Sequence, residues 1–223
     1  MSIAYDNATH SGFLNATTNT LSHSCSGSDR TLMVYLYTTI DNVTGVTYNG
    51  VSMTFVEKML MVGAAAGQYI HEYILINPAT GANNIVVSSS SGLGGYISGV
   101  SYTGTDQTTQ PDNSAKQVVS STTSLTTSLT TVADNCWLVG YAYHNGAVVA
   151  GTDTTLRGGS ASVLQAIDSN GAKTPAGSFS LNTTRSPADF AGHVIASIKP
   201  VAAGGSFTPT PLMHQRLMAG GMV

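Results

Sequence analysis

Charge is what this chain of 223 residues has least of. It carries 8 Lys and Arg against 11 Asp and Glu, 9% of its residues, where a soluble domain typically carries about 25%. The net charge of −3 comes without any Lys/Arg cluster, so there is no electrostatic footprint for a phosphate backbone and nucleic acid is set aside as a partner. Long apolar runs are also missing: none approaches the ~18 residues that would cross a bilayer, which sets the membrane aside. The opening Met-Ser-Ile-Ala-Tyr-Asp has neither the basic start nor the apolar core of a signal peptide, and the chain is read as folding in the cytoplasm of the cell that makes it. Cysteine is scarce. Cys25 and Cys136 cannot make a disulfide framework; each lies in or beside a predicted strand and reads as a small apolar filler. Helical periodicity is absent until the last dozen residues.

What is present points one way. Hydrophobic residues make up 42% of the chain, which rules out a solvated disordered polymer. Ser and Thr supply 55 residues and Gly 24, so the surface is wetted by hydroxyls and backbone, and turns are drawn from Gly, Asn and Asp. Period-two alternation or short apolar blocks recur at short intervals: 31–40, 46–56, 68–76, 84–88 and 96–102, then 124–131, 136–143, 162–167, 177–181 and 192–198. Asn49-Gly50 is a two-residue hairpin signal, because a type I′ turn needs positive φ at both central positions. Thr80-Gly81 after Asn77-Pro78 marks a second reversal. Together they predict a meander of 44–48, 51–61 and 68–76. The segment SSTTSLTTSLTT at 120–131 puts Leu125, Thr127 and Leu129 on one face and predicts a hydroxyl-rich edge strand. Ten or more strands joined without helices predict an all-β fold, an antiparallel two-sheet β-sandwich over residues 1–200.

From Val201 the character changes. A Gly-Gly hinge and a Thr-Pro-Thr-Pro stretch lead to about two turns of candidate helix at 212–219. Phe207, Leu212, Met213, Leu217 and Met218 are the candidate partner contacts of a C-terminal extended arm, 201–223. A helix this short does not persist in water without a partner.

Reactive groups do not converge along the sequence. Most of the eleven carboxylates sit in turns, where an Asx turn or a cap explains them. Glu57 and Glu72 fall on neighbouring predicted strands; the pair could serve a glycosidase, but exposed strand positions are the simpler reading. The six histidines lack the close spacing of a zinc motif, and Asp106 to Asn113 is the best loop for calcium without being a strong one. There is no nucleophile elbow and no P-loop. The reading is therefore of a chain without enzymatic activity, cofactor or metal. Sugar recognition by stacking is the chemistry left to the surface, with Tyr5, Tyr48, Tyr96 and Tyr102 as candidate glycan-binding residues; Trp137, inside CWLVGYAY, belongs to the core.

From Gly45 to Ala115 the signals come in a specific order: GVTYNGVSMTFV, then YIHEYILINPATGANNIVVSSS, then GVSYTGTDQTTQPDNSA. This resembles a recurrent β-sandwich module of bacteriophage structural proteins and of environmental bacterial proteins, with SLTTSLTT and ADNCWLVGYAY continuing the pattern to about residue 200. Gly104-Thr105-Asp106 stands where the module usually has Gly-Val-Asp. The resemblance implies a lectin-like, concanavalin-like jelly roll in a virion and brings no catalytic residues. The expected function is that of a virion protein, a head-decorating (cement) or fibre-type subunit. It would meet copies of itself as a homotrimer and other virion proteins through its sandwich surface and arm. The alternative is a lectin-like module for host surface carbohydrate.

Overall fold

In the computed structural model, which describes residues 2–62 and 67–202, the strand β3 (Thr31–Thr38) is buried along its whole length. Both its faces are covered. Met33, Tyr35 and Tyr37 enter one hydrophobic core while Leu32, Val34 and Leu36 enter another. A strand with both faces apolar must lie in a middle layer, because alternating side chains point to opposite sides of the sheet. Around β3 the order is β1 (Ala4–His10), β9 (Gly95–Thr103), β3, β7 (Tyr69–Ile76), β6 (Thr54–Leu60). Against one face of this sheet lies a second, in the order β2 (Thr18–Cys25), β8 (Gly81–Ser89), β4 (Val43–Tyr48), β5 (Val51–Ser52). Every pairing is antiparallel, and the chain passes back and forth between the two sheets in jelly-roll order.

The second half of the chain repeats this plan. Its sheet runs β10 (Asn113–Thr130), β15 (Ser178–Ile198), β11 (Trp137–His144), β14 (Leu164–Asp168), β13 (Thr155–Leu156), with β12 (Val149–Ala150) paired to β15. The two longest strands serve both layers. Residues 113–119 pair with 191–197, and 124–130 pair with 178–184, with register breaks between the two stretches. The ribbon folds back on itself there: Asn113 Nδ2 donates to the Thr130 carbonyl at 2.9 Å, joining the two ends of β10. Leu129 and Leu181 from the folded-back part then pack on Leu138, Ala142, Ile167 and Ile195.

Strand by strand, β10, β11, β12, β13, β14 and β15 stand where β1 with β2, then β3, β4, β5 with β6, β7, and β8 with β9 stand in the first half. Among the described residues, the six non-glycine residues with positive φ fall at three matching junctions: Asp29 and Asn135 before β3 and β11, Asn49 and Asp153 before β5 and β13, and Asn77 and Asn170 after β7 and β14. The expected all-β antiparallel jelly-roll sandwich is what forms, and its order occurs twice. The two jelly rolls meet back to back through the largest core, where Tyr35 stacks on Tyr141 and Tyr37 on Tyr143, each pair with centroids 5.2 Å apart. These are matched residues of β3 and β11, so the contact is isologous, as in a two-fold dimer.

The expected meander departs from the structure at one place. Val51–Ser52 pairs with β4 in the outer sheet, but from Thr54 the chain pairs with β7 in the middle sheet. The break at Met53, itself buried, carries the strand across the sandwich. Leu125, Thr127 and Leu129 do face inward from an edge strand, with exposed neighbours between them. Trp137, Cys25 and Cys136 are buried. The arm residues Phe207, Leu212, Met213, Leu217 and Met218 lie outside the described residues.

Candidate functional site

The N-terminal residues, the linker after β9 and the last described residues, 199–202, meet at one pole of the molecule. The linker after β9 and the segment after β15 pair there: Thr105 bridges Pro200, the Val201 N–H donates to the Gly104 carbonyl at 3.0 Å, and the Asp106 N–H donates to the Lys199 carbonyl at 2.9 Å. Beside this bridge is a cavity of about 540 Å³. Its walls come from Ile3, from the β10–β11 turn at Ala133 to Asn135, from Ala172 of the β14–β15 loop, and from Pro200 to Ala202.

The ionisable groups at its rim are already engaged. Asp106 accepts from the Thr108 and Thr109 N–H groups at 2.8 and 2.9 Å and from the Thr108 hydroxyl at 2.6 Å, bonds that hold its carboxyl down to about 2. That is an Asx-type turn rather than a cation site, and no cluster of three metal-ligating side chains occurs among the described residues. Asp134 accepts from the Ala176 N–H at 2.6 Å, and Lys199 donates to Thr109 at 2.5 Å. The Cys136 thiol nearby, pushed up to about 12 by burial and then by Asp112, is a poor nucleophile. With its charges tied into loops, the cavity offers apolar walls, and its chemistry suits an apolar segment.

The four tyrosines expected on a sugar-binding face are not brought together. Tyr48 is fully buried and its hydroxyl donates to the His23 carbonyl at 3.1 Å; Tyr102 is buried and donates to Asp168 at 3.1 Å. Neither has a free ring face, because both positions alternate inward on their strands, and this corrects the expectation for them. Tyr5 reaches the surface, but the Arg157 guanidinium lies over its ring at 4.3 Å. Arg157 also grips Asp168 with two bonds, 2.6 and 3.0 Å, so this cluster ties β1 of one jelly roll to β13 and β14 of the other. Tyr96 remains half-exposed, edge-on to Phe13 at 5.5 Å. Phe13, 57% exposed between Gly12 and Leu14, was the residue to add; an aromatic inside a Ser/Gly/Asn stretch is the signal for it.

Glu57 and Glu72 do pair directly across β6 and β7. Their environments oppose each other. Glu57 binds Lys116 at 3.0 Å near the surface, whereas Glu72, expected at an exposed strand position, is wholly buried and neither of its oxygens has a hydrogen-bond partner among the described residues. Burial, then the Glu57 charge, pushes its carboxyl up to about 8. It faces the core between the jelly rolls, opposite Tyr35 in register; the cavity at the pole and a smaller one by Asn49, Asn83 and Asn84 lie elsewhere.

The histidines act as cross-braces. His23 reaches Thr9 and Ser101 at 2.8 and 3.0 Å, linking the sheets of the first jelly roll. In the second, Thr183 bonds both His144 and His193 at 2.6 Å, and His193 also meets Thr127 at 3.1 Å. Burial lowers His23, His71 and His144 to about 4 and His193 to about 3, so all four are neutral near pH 7. Neither a family model, nor a curated protein, nor a solved structure matches the chain.

Proposed function

We propose that the protein is a non-enzymatic structural subunit of a bacteriophage particle, of the head-decorating or fibre type, which assembles with copies of itself as a trimer. One observation carries this reading. The buried histidines and Asp168 serve as braces inside the fold, while the accessible surface keeps large apolar side chains, among them Phe13, Val51, Phe55, Leu60 and Val132, each more than half exposed. A surface depleted in charge and dotted with apolar anchors suits burial against other subunits. The resemblance of residues 1–200 to a phage β-sandwich module supplies the setting, and the arm beyond Ala202 supplies a grip on a neighbour. The protein itself would be found in the virion, after synthesis in the host cytoplasm.

Sedimentation of the purified chain tests the assembly: a species of three 22.9 kDa chains is expected, and a monomer at all concentrations overturns the trimer. Deleting residues 205–223 should abolish incorporation into particles while leaving the far-ultraviolet circular dichroism unchanged. Tailless protein present in particles at full occupancy would refute the role of the arm.

The exposed Phe13–Tyr96 pair favours a second reading, a face that stacks on host surface carbohydrate. A glycan array, run with and without calcium, tests it. Binding that Phe13→Ala removes supports it, and an array without any binder ends it.

A further inference from the structure

The cavity at the pole has a counterpart in the first jelly roll, and there the counterpart is filled. The β2–β3 turn at Gly27 to Arg30 matches the β10–β11 turn at Ala133 to Cys136, since both lead through a left-handed residue, Asp29 or Asn135, into the central strand. In the first half the linker lies along this turn. Gly104 and Thr105 donate their N–H groups to the Ser28 and Asp29 carbonyls at 3.3 and 2.9 Å, and Gln107 reaches over to the Arg30 carbonyl at 3.1 Å. In the second half the corresponding carbonyls, those of Asp134 and Asn135, accept no hydrogen bond from any of the described residues. The apolar cavity opens there instead.

The two-fold relation says which segment matches the linker. Tyr35 pairs with Ser98 and Tyr141 with Val194, so a residue of β9 corresponds to the one 96 further on in β15. Gly104 and Thr105 then correspond to Pro200 and Val201, and the bridge between Thr105 and Pro200 sits on the axis itself. The continuation of the linker, residues 106–112, corresponds to 202–208.

We propose that the cavity lined by Ile3, Ala133, Asn135, Ala172 and Val201 is the docking site of the chain's own residues 203–211, with Phe207 as the apolar anchor. Four features of the chain fit this occupant. Ala202 already lines the cavity, so the segment starts at its mouth. Gly204 and Gly205 permit the turn needed to enter it. Phe207 lies five residues beyond Ala202, within at most about 17 Å of extended chain, which covers the cavity and does not reach far past it. Residues 203–211 carry no charge, in keeping with walls whose ionisable groups are tied into loops. The inference does not depend on the virion reading. It leaves Leu212, Met213, Leu217 and Met218 as the part of the arm free to meet a partner.

Thiol cross-linking in the full-length protein tests it. Ala172 is exposed on the cavity wall, and the double variant Ala172→Cys with Ser206→Cys should form a disulfide within one chain, identified by mass spectrometry of the joined peptides at a rate independent of protein concentration. The single variants report any contribution from buried Cys25 and Cys136. Adding Phe207→Ala should slow the bond by about tenfold or more, the effect of losing a buried aromatic contact, whereas Leu217→Ala should leave the rate unchanged. Two results overturn the proposal. One is the absence of cross-linking while maleimide labels both new thiols. The other is a disulfide that joins only different chains, which would make the cavity a receptor for a second copy's arm. Because the readout is made on the isolated protein, its failure is separate from a failure to enter particles.

Discussion

Single side chains set how this protein responds to pH. Glu72 is held to about 8 in the folded state against 4.5 when unfolded. Its neutral form is the one the core accepts, so the stability is complete below 4.5 and is lost as pH rises towards 8, in total by roughly 5 kcal/mol. The histidines work in the opposite direction. His23 falls from 6.5 to about 4 on folding, so between those values the unfolded chain binds more protons, and stability present above 6.5 is lost on acidification, by about 3 kcal/mol for this residue alone. His71, His144 and His193 add to the same limb. Thermal melts across pH 4 to 9 should therefore show a maximum near pH 6.5, within about half a unit, and Glu72→Gln should flatten the alkaline limb while leaving the acid limb intact. An alkaline limb unchanged by that substitution would mean that Glu72 is ionised without cost. Thr183 permits a sharper test, because its one hydroxyl serves both His144 and His193. Thr183→Val keeps the shape and leaves buried ring nitrogens unpaired, at an expected cost of about 2–3 kcal/mol in urea unfolding, and Thr183→Ser should restore most of it.

At the scale of the element, legibility followed the burial of each strand. β3, β7 and β11 are apolar on both faces or nearly so, and their runs stood out in the sequence. β1 and β2 did not, because AYDNATH and TNTLSHSC alternate hydroxyls and amides with few apolar residues and obtain their order from pairing with β9 and β8. The two-residue strands β12 and β13 are too short for any periodicity to register. Asn49-Gly50 was legible because its chemistry is local: the turn needs positive φ and Asn supplies it. The change of sheet at Met53 was not, since period two says which face a side chain takes but not which neighbour its backbone finds. The same local chemistry recurs at Asn135, whose φ is 61°. Asn135→Gly should be neutral within about 0.5 kcal/mol, while Asn135→Val, a β-branched residue forced left-handed, should cost about 1–2 kcal/mol, as read from the midpoint of chemical unfolding. Asp29→Val in the matching turn should cost a similar amount, and unequal costs would show that the two turns, though alike in geometry, differ in how firmly their jelly rolls hold them.

For the molecule as a whole, the repeated jelly roll was illegible because matched positions do not keep their residues: Met33 stands where the second half has Val139, Val34 where it has Gly140, and Glu72 where it has Ala166. The tyrosines on the two-fold contact recur, as do Leu32 at Leu138 and Ser101 at Ser197, but so few matches, in a chain that has ten tyrosines, carry no signal until the pairing of strands is known. Of the candidate surfaces, burial removed Tyr48 and Tyr102, while the cavity at the pole depends on four distant segments meeting and could not be read from any one of them. The contact between the halves has an energetic consequence. It buries twenty side chains in the core around Tyr35 and Tyr141, more than either jelly roll holds between its own sheets, and it is pinned by Arg157 over the Tyr5 ring and by Lys116 on Glu57. Neither half can open its inner sheet without exposing the other's, so unfolding should be a single transition in calorimetry, with equal calorimetric and van't Hoff enthalpies. Tyr141→Ala removes a ring from that contact and should cost about 3–5 kcal/mol. The loss should appear throughout: hydrogen exchange should quicken in β8, in the outer sheet of the first jelly roll, as much as in β11. Two separate transitions, with only the later half displaced by Tyr141→Ala, would show that the jelly rolls are independent domains and that their shared core adds contact without cooperativity.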